Sequence, residues 1–448
     1  MNSLKDFLRS IFPDRHPLRL FYHKCMAVLA VLRYEFPANK MMVVAVTGSK
    51  GKTTTCNMLH RIFTEAGLKT GMLTTVNFKI GEFEEANLEK QSTLSPFLLQ
   101  KKIREMVSAR CKVLVLEVTS HSIIQSRIFG INVDTAVFTN IENEHLDYHG
   151  TFDDYMQTKG RLFSALNTSA RKPNLQKCSV VNVDDPNGGY FTAFPADQVF
   201  EYGIQKGTYV ARNLQSEPGG TKFLLKIPNG EAEVLLKIPG RINVYNALAA
   251  AAAAAAMHVP LTVIKSALEK MQPIQGRLEV IDEGQPFTVI VDYAHTEKSL
   301  EALLGLFREL TKGKLILVFG ATGDRDRTKR PKMGEIAHKF ADTIILTNDD
   351  PYTESPEGIA AEVRAGIPRT EGNGFWQILD RREAIRLALA LAGPGDSVLL
   401  AGKGAEEFQV VGHQKIPHDD RVVARECLAR AVDVTLNGPF GTWPLRAS

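Results

Sequence analysis

The chain of 448 residues has few cysteines, little net charge and no long apolar run. Each shortage excludes something. The five cysteines, Cys25, Cys56, Cys111, Cys178 and Cys427, are scattered, and no two make a C-x-x-C pair. Neither a zinc site nor a disulfide framework is indicated, and a reducing cytoplasm is the expected compartment. A formal net charge of +4 is small for this length. It speaks weakly for anionic ligands, and no nucleic-acid partner is expected. Hydrophobic content of 44% and charged content of 23% are ordinary for a soluble chain of two or three domains. The stretch from Leu18 to Phe36 is rich in apolar and aromatic residues but is interrupted by Lys24 and Arg33. Its unbroken apolar core of about eight residues falls far short of the roughly 20 that span a bilayer. It lacks the small-residue cleavage pattern of a signal peptide. We read a helix packed on the body of the protein. The alternative is a peripheral membrane contact, because Arg15, Arg19 and Lys24 lie close to Leu18, Leu20, Phe21 and Tyr22.

What is present is a glycine loop. Gly48-Ser49-Lys50-Gly51-Lys52-Thr53-Thr54 follows the apolar run Met41 to Val46 and opens an amphipathic stretch, Thr55 to Ala66. The order predicts strand, loop, helix. Such a loop aims backbone N–H groups and a helix N-terminus at a phosphate. Gly48 and Gly51 let the backbone close around the anion, Lys52 can reach the outer phosphates and the Thr53 hydroxyl can hold Mg²⁺. Counted from Gly48, the loop is two residues shorter than the general G-x-x-x-x-G-K-S/T form. A plain glycine turn is the bland reading; the strand, the lysine and the paired threonines together favour ATP.

Strand-like runs then alternate with helical ones: Lys112 to Val118, Asp134 to Thr139, Ser179 to Val183 and Gln198 to Tyr202. This predicts an α/β unit with a mostly parallel sheet. From Gly207 to Ile238 the short runs with Gly and Pro turns predict antiparallel strands at its edge. Ala247 to Ala256 is nearly pure alanine, which predicts a tightly packed helix with Asn243 and Asn246 at its start. A second unit, predicted to be doubly wound, has strands at Thr288 to Asp292, Leu315 to Phe319, Thr343 to Leu346 and Ser397 to Leu400. The expected organisation is a helical segment to residue 40, a central domain over 41–272 and a C-terminal domain over 273–448, the two domains making a cleft that ATP would draw closed. Glu117 ends an apolar strand, where a carboxylate beside a phosphate loop is placed for Mg²⁺.

The T-G-x-x-G-K-T-T loop resembles the Mur ligase family, and later segments are similar to its UDP-N-acetylmuramoyl-tripeptide synthetase (MurE-type) branch. The resemblance runs from about Met41 to about Leu428. It implies a P-loop ATPase-like central domain and a Rossmann-like C-terminal one. It also implies an ATP-dependent, ADP-forming ligase of cell-wall precursor synthesis that joins an acid to an amino acid through an acyl phosphate, with two Mg²⁺ ions as cofactors. By resemblance, Lys52, Glu117, His145 and Lys159 are catalytic. Thr53, Glu117, His145 and a carbamylated Lys159 are metal ligands. His145 lies in Asn140-x-x-x-Glu144-His145-Leu146-Asp147, where Glu144 stands for the usual Asp. Lys159 matches a lysine whose carbamate turns a cation into a carboxylate-like ligand. Gly48 to Thr54, Asn243, Asn246, Arg277, Asp292 and His295 are implied nucleotide contacts. Ser92, Thr93, Thr119, Gln125 and Arg127 are implied contacts of the acid acceptor, with Ser122 replacing a glycine. Arg325, Asp349, Asp350, Tyr352, Gly402 and Glu406 are implied contacts of the incoming amino acid. Tyr352 stands where diaminopimelate-adding enzymes have an arginine for the distal carboxylate, while acidic groups remain. That favours a basic amino acid such as lysine or ornithine. Only about forty residues precede the loop, too few for the branch's UDP-binding domain. A partner protein, another mode of UDP recognition or a non-UDP acid, as in folylpolyglutamate- or cyanophycin-type ligases, would account for that. A non-catalytic ATP-binding scaffold is the rival of another class.

Overall fold

The computed structural model describes residues 15–87, 93–142, 146–272 and 276–437. The chain divides into two compact units. The first comprises Met1–Gln215, Thr221–Leu236 and Gly240–Met271, and the second Ser216–Gly220, Lys237–Pro239 and Gln272–Ser448.

The first unit is built on an eleven-stranded sheet. Its strands are β1 (Met42–Thr47), β2 (Thr70–Leu73), β3 (Asn77–Ile80), β4 (Phe83–Ala86), β5 (Val113–Glu117), β6 (Thr135–Phe138), β7 (Cys178–Asn182), β8 (Gln198–Gly203), β9 (Tyr209–Glu217), β10 (Gly220–Ile227) and β11 (Gly230–Leu236). They lie in the order β11-β10-β9-β8-β7-β6-β1-β5-β2-β3-β4. The central strands β2, β5, β1, β6, β7 and β8 are parallel. They read as continuous apolar runs because both faces are covered. Helices Pro96–Ser108 and Phe152–Thr168 cover one face through Leu99, Ile103, Tyr155 and Phe163. Helices Lys52–Glu65 and Arg241–Ala255 pack together on the other. The alanine run lets these two backbones approach closely: Ala247 and Ala249 to Ala254 are completely buried.

One expectation needs correction. β10 and β11 are antiparallel, but β9 pairs with β8 in the parallel sense. The reason is Asp184, whose carboxylate accepts the amides of Ile204, Gln205 and Lys206. The chain loops over that anchor and re-enters beside β8 instead of folding back as a hairpin. The edge pair β3 and β4 was not foreseen.

Helix Pro17–Tyr34 starts at a proline, with His16 as its cap. It lays Ala27, Ala30 and Val31 on the unit, where Val31 meets Gly130. Its other face is exposed. Arg15 is not available to a membrane, because its guanidinium forks onto Asp154. No described helix is long and apolar enough to cross a membrane.

The second unit has a six-stranded sheet in the order β12-β13-β17-β14-β15-β16. The strands are β12 (Glu279–Ile281), β13 (Thr288–Asp292), β14 (Leu315–Phe319), β15 (Thr343–Leu346), β16 (Phe375–Gln377) and β17 (Ser397–Ala401). All pairs but β12–β13 are parallel. Helices Glu297–Leu310, Lys329–Phe340 and Pro356–Arg364 cover one face, and Arg381–Leu391 and Asp420–Asn437 the other. Helices on both faces make it the doubly wound sheet that the sequence predicted. A hairpin, β18 (Phe408–Val411) and β19 (Gln414–Pro417), completes the unit.

Candidate active site

In the first unit the loop Gly48–Gly51 leaves the C-terminal end of β1, the edge at which parallel sheets bind ligands. Both glycines are obligatory here. Gly48 has φ +151° and a Cβ on it would lie 1.9 Å from Thr139 Oγ1. Gly51 has φ +82° and a Cβ on it would lie 2.1 Å from Asn246 Oδ1. Asn140 braces the loop from β6: its Oδ1 accepts from Lys50 N at 2.9 Å and its Nδ2 donates to Lys50 O at 3.0 Å. Lys52 folds back over the loop and donates to the carbonyls of Gly48 (3.0 Å) and Ser49 (2.6 Å).

β5 lies beside β1, with Glu117 opposite Val46. That register brings Thr53 Oγ1 to 2.8 Å from Glu117 Oε2. Thr75 adds its backbone N–H to Oε2 at 3.0 Å and its hydroxyl to Oε1 at 2.9 Å. Glu117 is 2% exposed. A hydroxyl and a carboxylate at the head of a phosphate-loop helix suit one Mg²⁺, which is typically held by few protein groups plus phosphate and water.

Lys159, on helix Phe152–Thr168, is buried and donates to Gly48 O at 2.8 Å. Its ammonium lies 4.5 Å from the centroid of the Tyr155 ring. Tyr155 OH in turn meets Ser49 Oγ at 3.2 Å. As an ammonium Lys159 is no metal ligand, and among the described residues no cluster of three His, Cys, Asp or Glu side chains could hold a metal. Ser92, Glu144 and His145 lie outside the described residues. Asn243 and Asn246 are buried on the alanine helix. Asn246 Nδ2 donates to Asn243 Oδ1 at 3.1 Å, beside Gly51. Thr54 opens the helix next to Thr53.

The acceptor-type residues form a connected set. Thr119 caps helix Ser120–Ile124. Ser122 does not crowd the loop, since its buried hydroxyl donates to Thr119 O at 2.7 Å. Arg127 donates to Gln125 Oε1 at 2.6 and 2.9 Å and to the Thr93 carbonyl. Burial lowers the Arg127 pKa. Thr93 Oγ1 reaches the Glu117 carbonyl at 3.4 Å, which ties this set to the strand end.

Sequence reading missed a relay beside them. His149 Nε2 lies 2.9 Å from Ser120 Oγ, and His149 Nδ1 lies 3.2 Å from Asp154 Oδ2. Burial lowers the His149 pKa, and the bond from Arg15 lowers that of Asp154. The imidazole is thus neutral near neutrality, with its proton on Nδ1 toward the carboxylate. Only the T-S-H and D-Y-H-G segments hinted at it, and Arg15 gave no signal.

In the second unit the Arg277 guanidinium sits 4.8 Å from the centroid of the Tyr293 ring. Asp292, at the end of β13, accepts the amides of Leu278 and Ala294, both at 2.9 Å. Burial raises its pKa. Its visible role is to hold the Arg277–Leu278 turn. His295 Nδ1 contacts the Tyr293 carbonyl at 2.8 Å.

The acidic group of this unit differs from the expectation. Asp349, Asp350 and Glu406 do converge, but fully buried Lys403 lies among them. Its Nζ is 2.7 Å from Asp350, 2.8 Å from Glu406 and 3.9 Å from Asp349. Burial works against the ammonium, yet the three carboxylates hold the Lys403 pKa above its usual value. Burial raises that of Asp349. Gly402, with φ +117°, passes close to Asp349. Tyr352 (φ +48°) bridges to Val411 in the hairpin, and Arg325 lies 5.9 Å from the centroid of its ring. Arg330 is not open to a substrate carboxylate, because Glu354 and Glu362 already bind it.

Comparison with known proteins agrees with this geometry. Residues 46–254 match the Mur ligase middle domain, and residues 276–404 the Mur ligase glutamate ligase domain. The chain is 42% identical, over 90% of its length and 82% of the relative's, to the UDP-N-acetylmuramoyl-L-alanyl-D-glutamate–2,6-diaminopimelate ligase of Geobacillus kaustophilus (strain HTA426). The chain belongs to the Mur ligase family. A UDP-N-acetylmuramyl-tripeptide synthetase of Roseiflexus sp. (strain RS-1) is also 42% identical, over 90% of this chain and 82% of that protein. A solved 2,6-diaminopimelate ligase structure superposes with a TM-score of 0.68 at 30% identity, over 88% of this chain and 79% of that one. The folylpolyglutamate synthase of Mycobacterium tuberculosis, at 18% identity and a TM-score of 0.63 over 84% of this chain and 92% of that one, shares the fold. Mur ligases are ATP-dependent, ADP-forming enzymes that use Mg²⁺ and make amide bonds. This Mur ligase has that activity.

Proposed function

We propose that this Mur ligase adds a basic amino acid to a muramoyl-dipeptide acceptor in peptidoglycan precursor synthesis. The acceptor carboxylate takes the γ-phosphoryl group of ATP, and the amine of the amino acid then displaces phosphate from the acyl phosphate. The observation that carries the reading is the Thr53–Glu117 pair at the head of the phosphate loop, joined through Thr93 to Gln125 and Arg127. Lys52 and the loop amides would hold the phosphates. Thr53 and Glu117 would hold Mg²⁺, which supplies charge neutralisation at the reacting phosphoryl group.

Within the reading, residues 41–272 form the catalytic domain and residues 273–448 the amino-acid domain. His145 and a carbamylated Lys159 are proposed for a second Mg²⁺. The support is that Lys159 is a fully buried lysine beside the phosphate loop, where an anion is more useful than an ammonium. Arg277 and His295 are proposed nucleotide contacts, and Asn243 and Asn246 adenine contacts. A basic amino acid without a distal carboxylate is proposed because Asp349, Asp350 and Glu406 gather around Lys403, and Arg330 is spent on two glutamates. Cytoplasmic residence is part of the same reading, since no disulfide joins the described cysteines.

The test is ADP release from Mg-ATP with UDP-N-acetylmuramoyl-L-alanyl-D-glutamate as acceptor and lysine, ornithine or meso-diaminopimelate as second substrate. Release that depends on both substrates is expected. Release with a non-UDP acid alone would overturn the acceptor assignment, and preference for diaminopimelate would overturn the pocket argument.

A further inference from the structure

The helix Pro17–Tyr34 presents two opposite faces of different character. The inner one is small and buried: Ala27, Ala30 and Val31 seat it on the first unit. The outer one is a ridge of large apolar side chains. Leu18, Phe21, Tyr22, Leu29 and Leu32 are 62%, 67%, 58%, 54% and 60% exposed. At 100° per residue these positions fall on one stripe, and over about 1.5 Å per residue it runs roughly 20 Å. Phe36, just past the helix, is also exposed. Solvent-facing leucines normally occur singly, and a continuous stripe marks an interaction surface. None of these residues touches the site described above.

The flanks identify the partner. Pro17–Tyr34 contains no Asp or Glu, while Arg19, Lys24 and Arg33 lie on it and Lys40 follows. Lys24, Arg33 and Lys40 are exposed. The nearest acid, Glu35, is paired with Arg104 at 3.6 Å. A second copy of the helix would set these cations against their own kind. A convex ridge with basic flanks suits a soft surface that takes up apolar side chains and carries negative charge. We propose that this helix docks the enzyme on anionic lipid bilayers, lying in the interface plane without crossing it.

The experiment is co-sedimentation of the full chain with vesicles of phosphatidylcholine alone, or of phosphatidylcholine mixed equally with phosphatidylglycerol. Binding to the anionic vesicles that weakens with added salt is expected. Phe21→Ser/Leu29→Ser/Leu32→Ser should weaken it roughly tenfold or more, as should Lys24→Glu/Arg33→Glu. Both variants change exposed side chains, so thermal unfolding and ADP release in solution should match the parent and serve as the folding control. The proposal is overturned if the parent stays in the supernatant with both vesicles, or if the variants sediment as the parent does. It is equally overturned if the parent is a dimer in sedimentation velocity and the serine variant is a monomer, since the ridge would then be a protein interface.

Discussion

Replacing Glu117 by glutamine separates what the carboxylate does for the fold from what its charge does for the reaction. Three donors point at its two oxygens: Thr53 Oγ1 and Thr75 N at Oε2, and Thr75 Oγ1 at Oε1. The backbone N–H cannot turn, so the glutamine oxygen must take the Oε2 place. Its NH₂ then faces the Thr75 hydroxyl, which can rotate to accept. The two donors at the Oε2 place, Thr53 Oγ1 and the Thr75 N–H, stay satisfied. Three charge-assisted bonds become neutral ones, a loss of about 1 kcal/mol each. The buried group no longer has to be desolvated as an ion, which offsets several kcal/mol. The net change should lie within about 1 kcal/mol, or a midpoint shift of about 2–4 °C. Glu117→Ala, in contrast, strands the Thr75 N–H beside a cavity and should cost about 2–4 kcal/mol. ADP release should fall at least about a hundredfold in Glu117→Gln, equivalent to about 2.7 kcal/mol, because a neutral amide attracts Mg²⁺ far less. Thermal unfolding followed by circular dichroism and a coupled ADP assay measure both. If Glu117→Gln turns over within threefold of the parent, the carboxylate is a structural cap. If it unfolds as easily as the alanine variant, the hydrogen-bond accounting is wrong.

Burial, then the Lys79 charge, depresses the His60 pKa to about 4. The unfolded chain binds this proton at about 6.5. His60 therefore contributes stability above pH 6.5 that is lost as pH falls from about 6.5 to about 4, amounting to about 3 kcal/mol in all. Urea unfolding of His60→Gln should show a flatter profile across that window. Lys403→Met leaves buried Asp350 and half-buried Glu406 without their counter-ion, and calorimetry should find the protein destabilised by about 3 kcal/mol. Tyr352→Arg should shift the second substrate toward meso-diaminopimelate in competitive amidation assays. An unchanged preference would remove Tyr352 from the pocket. For Lys159, the mass of the intact protein kept in bicarbonate should exceed that of the acid-treated protein by one CO₂, and Lys159→Gln should abolish the difference.

What was legible from the sequence was local in it. The phosphate loop, the strand ending at Glu117 and the alanine helix each sit in one continuous segment with its own pattern. The Gly51–Asn246 contact was half legible: the glycine and the asparagine each stood out, but only the fold shows that a Cβ on one would strike the other. Groups assembled from distant segments left no pattern. Thr75 joins Glu117 across 42 positions, and Arg15 joins Asp154 across 139. Neither residue type is unusual where it stands. The same limit explains β9. Periodicity predicts a strand, but its direction relative to β8 depends on Asp184 holding three amides of the intervening loop.

The acidic cluster of the second unit shows why charges read from a sequence mislead when their partners are unknown. Asp349, Asp350 and Glu406 look like an open site for a substrate ammonium if Lys403 is taken for a surface residue. Lys403 is instead completely buried. Its ammonium meets two of the carboxylates within 2.8 Å. The preference for a basic substrate therefore rests on Asp349, Asp350 and Glu406 gathered around Lys403, with the buried Arg381 charge also acting on the two aspartates, and not on an empty anionic hole. The same reasoning removes Arg330, whose guanidinium faces Glu354 and Glu362. Arg325, exposed and over Tyr352, is then the cation of this loop best placed to meet a distal carboxylate. Selectivity between lysine and diaminopimelate should consequently respond to Arg325→Ala more than to any change at Arg330, whose removal would instead take the cation from Glu354 and one of two from Glu362 and act on stability.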